Sequence, residues 1–154
     1  MNDKNHIINL LNTEIKILQQ IIDKIESLKQ SFNINDIEAI NKIIEEINKL
    51  YTELSKGDVF ISRHSLKKQL NTQTDNWSDI IPAAKLENEP SVNKLIEIYN
   101  TLSSKTNELS LNIVSRIKDI NAGLNNIEVS RKISNKYRSL SKMPKISIFI
   151  DKKK

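Results

Sequence analysis

Between residues 7 and 32, Ile8, Leu11, Ile15, Leu18, Ile22 and Ile25 fall alternately three and four positions apart without a break. Only a helix gathers such a series on one face, and a sustained three-four alternation is the seam of a helix packed along its length on another helix. Ile7, Ile21 and Leu28 flank the seam, and Leu10 and Ile17 widen it. A face that broad needs more than one neighbour, which favours a bundle over a two-stranded zipper. Isoleucine is a mediocre helix former, but burial of the seam outweighs a deficit of about a few tenths of a kcal/mol per residue.

The pattern then repeats. Asn33 and Asn35 are N-cap residues by type, and Asn35 with Glu38 three positions later marks a second helix start. Ile37, Ile40, Ile44, Ile47, Tyr51 and Leu54 form the second seam, folded back antiparallel on the first by the short turn at 31–35. Gly57 is a natural stop, with Asp58 placed to cap a continuation through Phe60, Ile61, Leu66 and Leu70. The pattern suits one kinked helix over 36–70 or two shorter ones equally well. Residues 71–89 have no sustained period and read as a long connection pinned to the bundle by Trp77, Ile80 and Ile81. A last helix opens at Pro90, a favoured first position, and its pattern runs to about residue 136.

That last helix carries Val92, Leu95, Tyr99, Leu102, Thr106, Leu109 and Ile113 in register, then steps four and four again through Ile117. Such a stutter rotates the apolar stripe, so the two halves of the helix are expected to face different surroundings. Its length, about 68 Å at 1.5 Å per residue, exceeds the roughly 42 Å of the first helix, so part of it is expected to overhang. The stripe over 117–127, weakened by Gly123, is the expected apolar surface for a partner, the alternative being that it packs inside a homodimer or against residues 58–70. The expected fold is all-α: a helical hairpin plus one long C-terminal helix in an elongated three-helix coiled-coil bundle. It forms a single domain over 1–137, with helices at about 4–32, 36–70 and 90–136 and a basic, flexible tail over 138–154.

Charge refines the choice of partner. The 154-residue chain has a formal net charge of +5. Residues 1–128, however, hold 15 Lys or Arg against 18 Asp or Glu, and 129–154 hold nine against Asp151 alone. The basicity belongs to the tail, no helix bears a basic stripe, and nucleic acid is not the expected partner. Ile146, Ile148 and Ile150 alternate after Pro144 as in a short strand, although a disordered end is the simpler expectation. No apolar run approaches the roughly 20 residues of a membrane span, and residues 1–15 lack the order of an export leader, so a soluble, cytoplasmic protein is expected.

Catalysis has little material. Cysteine is absent, His6 and His64 are the two histidines, and neither has a ligand-spaced partner in sequence. Two glycines and three prolines leave few phosphate-cradling loops. Glu45, Glu46 and Glu53 read as a solvated face, with Glu45 and Lys49 paired one turn apart. The expectation is a non-enzymatic protein with no metal and no cofactor.

With these elements in order, the sequence resembles the FlgN family of flagellar export chaperones. The resemblance is carried by IINLLNTEIKILQQIIDKIESLKQ, DIEAINKIIEEINKLYTELS and LIEIYNTLSSKTNELSLNIVSRIKDINAGL, and covers residues 5–137. It implies a cytoplasmic chaperone for hook-filament junction proteins, the first and third hook-associated proteins. Their C-terminal helical regions would be held unassembled and delivered to the type III export gate. The family's client grip maps onto Leu109, Ile113, Ile117, Ile120, Leu124 and Ile127, and its contact with an export-gate component onto Tyr137. Tyr137 departs from the family in lacking a Tyr-Gly pair, and Asn107 and Asn112 stand five apart where the family has three. From the residues alone, a homo-oligomeric structural coiled coil or regulatory subunit is the alternative. The seams suit a monomer and a homodimer alike.

Overall fold

The computed structural model describes residues 2–142, with side chains described over 3–138. The described residues form five helices and no strand: α1 (Asn2–Asn33), α2 (Ile37–Lys56), α3 (Asp58–Leu70), α4 (Trp77–Ala83) and α5 (Pro90–Lys142). The strand pattern at Ile146, Ile148 and Ile150 lies outside the described residues, while 138–142, placed in the tail by sequence, continue α5. The chain divides into two compact units, Met1–Ser110 and Leu111–Lys154.

In the first unit α1 is the central element. Its most deeply buried line is Ile7, Leu11, Glu14, Leu18, Ile21, Ile25 and Leu28, a three-four series in its own right. Leu10, Ile17 and Ile22 are buried beside it, whereas Ile8 and Ile15 are half-buried. Each fully buried Leu or Ile contributes about 1.5–3 kcal/mol relative to exposure. The series breaks its apolar rule at Glu14, which is 2 % exposed.

The turn after α1 uses Asn35 differently from the sequence expectation. Asn35 adopts a left-handed conformation, φ 55°, which asparagine tolerates better than most residues. Asp36 becomes the N-cap instead, its carboxylate accepting the Ala39 N–H at 3.1 Å. α2 and α3 are separate helices, broken at Gly57, whose N–H closes α2 on the Glu53 carbonyl at 2.8 Å. Gly57 is also the N-cap of α3, and Asp58 lies inside that helix.

α2 buries no residue completely. It meets the core through half-buried Ile47, Leu50 and Leu54, while Ile37, Ile44 and Tyr51 are exposed. Ile47 and Leu54 lie on the expected seam, and Leu50 takes the contact position expected of Tyr51. The connection 71–89 contains a helix the periodicity did not indicate. α4 buries Trp77, Ile80 and Ile81 in the core, as expected of those three residues. Asp79 accepts from the Thr74 N–H at 3.1 Å and hydroxyl at 2.6 Å, which fixes the entry to the helix.

The first part of α5 buries Val92, Leu95, Ile98 and Leu102. Ile98 takes the place expected of Tyr99, which is 41 % exposed. Exposed ion pairs clip the helices to α1: Lys24 to Glu46 at 2.6 Å, Lys105 to Glu26 at 2.6 Å and Lys29 to Glu108 at 3.6 Å. Hydrogen bonds from the lysines hold the Glu26 and Glu46 carboxyls below the usual range. Such solvated pairs orient helices more than they stabilise them.

Candidate functional site

From Leu111 to Arg138 every residue except Asn112, Ile113 and Arg116 is exposed. Ile117, Ile120, Leu124 and Ile127 are 50–59 % exposed. At about 100° per residue, Ile113, Ile117, Ile120, Leu124 and Ile127 fall within one band of the helix surface, four and three positions apart. A shallow depression of about 350 Å³ lies on this band, bordered by Leu124, Ile127, Glu128 and Arg131. Leu109 belongs to the other unit, half-buried against the core cluster, and Ile113 is half-buried as well.

A second apolar run begins where the first ends. Val129, Ile133 and Tyr137, one turn apart and 52–69 % exposed, stand about 160°, 120° and 80° around the helix from Ile127. Tyr137 stands about 80° from both Val129 and Ile127, between the two runs. It is part of α5, which continues to Lys142, where the sequence pattern ends the helix at residue 136. Leu111 and Val114 are exposed too, outside the first band.

Rows of exposed apolar side chains on a charged helix do one thing well: they bury against a complementary helix. Covering four such residues releases several kcal/mol before the costs of association and ordering are met. Gly123 sits inside the band, and a Cβ placed there would meet nothing within 4 Å. The surface around it is open.

The first unit holds a polar cluster of a different character. Buried Glu14 accepts hydrogen bonds from the Trp77 indole N–H and from the Tyr99 hydroxyl, the latter at 2.9 Å. The Arg63 guanidinium covers the Trp77 ring at 5.6 Å, and its Nε is buried without a hydrogen bond. Burial first, and the Glu14 carboxylate second, push the Tyr99 phenol well above its usual pKa. Beside the cluster, Trp77, Ile81, Val92, Leu95, Ile96 and Tyr99 line a cleft of about 480 Å³. With two donors on one buried carboxylate, this arrangement ties α4 and α5 to α1.

His6 is exposed at the start of α1. His64 Nδ1 lies 3.9 Å from Asp75 Oδ2 on the surface, a proximity that sequence spacing does not reveal. Among the described residues no group of three or more His, Cys, Asp or Glu side chains is placed to hold a metal ion, and no helix is long and apolar enough to cross a membrane.

No protein-family model matches this chain, and comparisons with curated proteins and with solved structures gave no match.

Sequence reasoning missed the Glu14 cluster and the second apolar run. The one was signalled by a carboxylate three positions after Leu11 and four before Leu18, beside the seam, the other by the one-turn spacing of Val129, Ile133 and Tyr137.

Proposed function

We propose that this chain is a cytoplasmic, non-enzymatic chaperone of flagellar type III export. It holds the C-terminal helical region of a hook-filament junction protein, prevents its premature assembly and delivers it to the export gate. The observation that carries the reading is the row Ile117, Ile120, Leu124 and Ile127, exposed in one band along α5. The resemblance over residues 5–137 and the all-helical architecture support it. In this reading α1, α2 with α3, and the first part of α5 are the three arms of a coiled-coil bundle that carries the client helix, followed by a basic tail. Leu109 and Ile113, already half-buried, contribute less to the client than the four exposed residues. Tyr137 meets an export-gate component. Binding through a helix of marginal intrinsic stability suits a complex that must be released for secretion.

Light scattering and circular dichroism test it together. The protein alone is expected to form a defined one-to-one complex with a junction-protein terminal fragment. Ile117→Asp with Leu124→Asp is expected to leave helicity within about a tenth of the parent value and to abolish capture, because two charges on the apolar row cost several kcal/mol of binding. Global unfolding of the double variant would make the row part of a core. A stable tetramer that ignores the fragment would instead favour the homo-oligomeric structural coiled coil.

A further inference from the structure

The three-four register of the exposed row does not stop at Ile127. Its next positions are Arg131, Ser134 and Arg138, so Ile117, Leu124, Arg131 and Arg138 occupy one heptad position and Ile113, Ile120, Ile127 and Ser134 the other. All three continuing residues are exposed. A lysine or arginine flanking an apolar stripe is ordinary; an arginine on the stripe itself is a statement about what lies opposite. Arg131 also borders the same depression as Leu124 and Ile127, so guanidinium and apolar row share one patch. Lys132 and Lys136 add positive charge over the same turns, against Glu128 as the nearest acid in sequence.

A second copy of this chain fits the row poorly. In a parallel pair Arg131 would face Arg131 and Arg138 would face Arg138. In an antiparallel pair centred on the apolar residues, Arg131 would fall opposite Ile113. Either arrangement takes guanidinium groups partly out of water without a carboxylate, which is costly. A lipid surface is also a weaker fit, because a helix lying on a membrane keeps its arginines on the polar face and at its margins.

We infer that the occupant of this face is an acidic amphipathic helix. Its apolar seam covers residues 113–127, and its carboxylates at the following seam positions pair with Arg131 and Arg138. This deepens the functional proposal and rests on its assignment of the face to a helical partner. The apolar turns supply affinity, and the arginine pairs fix register and direction, since a helix slid by one heptad or reversed would set an apolar residue against a guanidinium.

The test uses the full-length protein and synthetic heptad peptides of about 28 residues, long enough to span the seam. Ile and Leu fill the seam of half the peptide, and either Glu or Lys fills the seam of the other half. Each peptide is made in both sequence orders so that parallel and antiparallel docking are sampled. By fluorescence anisotropy at about 50 mM salt, one Glu peptide is expected to bind about tenfold tighter than its Lys counterpart, with the contrast shrinking at about 0.5 M salt. Arg131→Glu with Arg138→Glu is expected to reverse the preference, and Arg131→Gln with Arg138→Gln to erase it. Helicity serves as the folding control. Equal binding of the Glu and Lys peptides, a preference the substitutions leave unchanged, or binding of phosphatidylglycerol vesicles in place of the Glu peptide overturns the inference. Capture of a junction-protein fragment that the arginine substitutions do not alter would refute it and leave the functional reading standing. A Glu preference without capture of the fragment would do the opposite.

Discussion

Tyr99 donates its hydroxyl hydrogen to Glu14 Oε1 at 2.9 Å, joining side chains 85 positions apart, while Trp77 donates to the other oxygen of the same carboxylate. One buried acid thereby ties α4 and α5 to the middle of α1. Glu14→Ala strands two donors and opens a void, and is expected to lower stability by about 3 kcal/mol. Glu14→Gln keeps an acceptor for one donor and turns an NH₂ toward the other, at an expected cost of about 1–2 kcal/mol. Urea midpoints check the order. Equal midpoints for parent and variants would mean that water satisfies the donors.

Burial and the nearby Glu14 carboxylate make Tyr99 harder to ionise in the folded protein than in the unfolded chain, Arg63 opposing them in part. Its folded pKa lies above the ordinary value of about 10, so its contribution is intact below that pH and is lost as pH rises past it. The free energy of unfolding is expected to fall more steeply above about pH 10 in the parent than in Tyr99→Phe. Parallel pH curves for the two proteins would refute this.

The two glycines are expected to respond oppositely to alanine. A Cβ on Gly57 would stand 2.3 Å from the Glu53 carbonyl oxygen, which already accepts the Gly57 N–H, so Gly57→Ala must push the end of α2 apart. A loss of about 1–3 kcal/mol is expected in denaturant titration. Gly123→Ala meets no neighbour and removes a poor helix former from an exposed helix, so amides over 111–142 should exchange more slowly by a factor corresponding to about 1 kcal/mol. Faster exchange there would count against this account of Gly123.

Most of α1 was legible because its apolar spacing is nearly free of noise. The register of α2 was legible at Ile47 and Leu54 and missed at Leu50. Its apolar arc includes Ile37, Ile40, Ile43, Ile44, Ile47, Leu50, Tyr51 and Leu54, wider than one contact line, and only packing against α1 chooses Ile47, Leu50 and Leu54 from it. α4 spans seven residues and contains Pro82, too short to show a period. The partners of Glu14 come from 63 and 85 positions away, and no local pattern encodes them. The exposed row over 117–127 was readable, because helix periodicity and surplus length both point to it. The change of face after Ile127 follows from the same arithmetic carried a turn further.

Ile127 and Val129 are two residues apart, a step of about 200° around the helix. The angle between the two apolar runs is therefore stored in a count of residues, and side-chain identity plays no part in it. Inserting or deleting a single residue at this junction would keep every apolar side chain and every charge, yet swing Val129, Ile133 and Tyr137 by about 100° relative to residues 113–127. Along this stretch of α5, a change of chain length disturbs the spatial relation of the two faces more than most substitutions do.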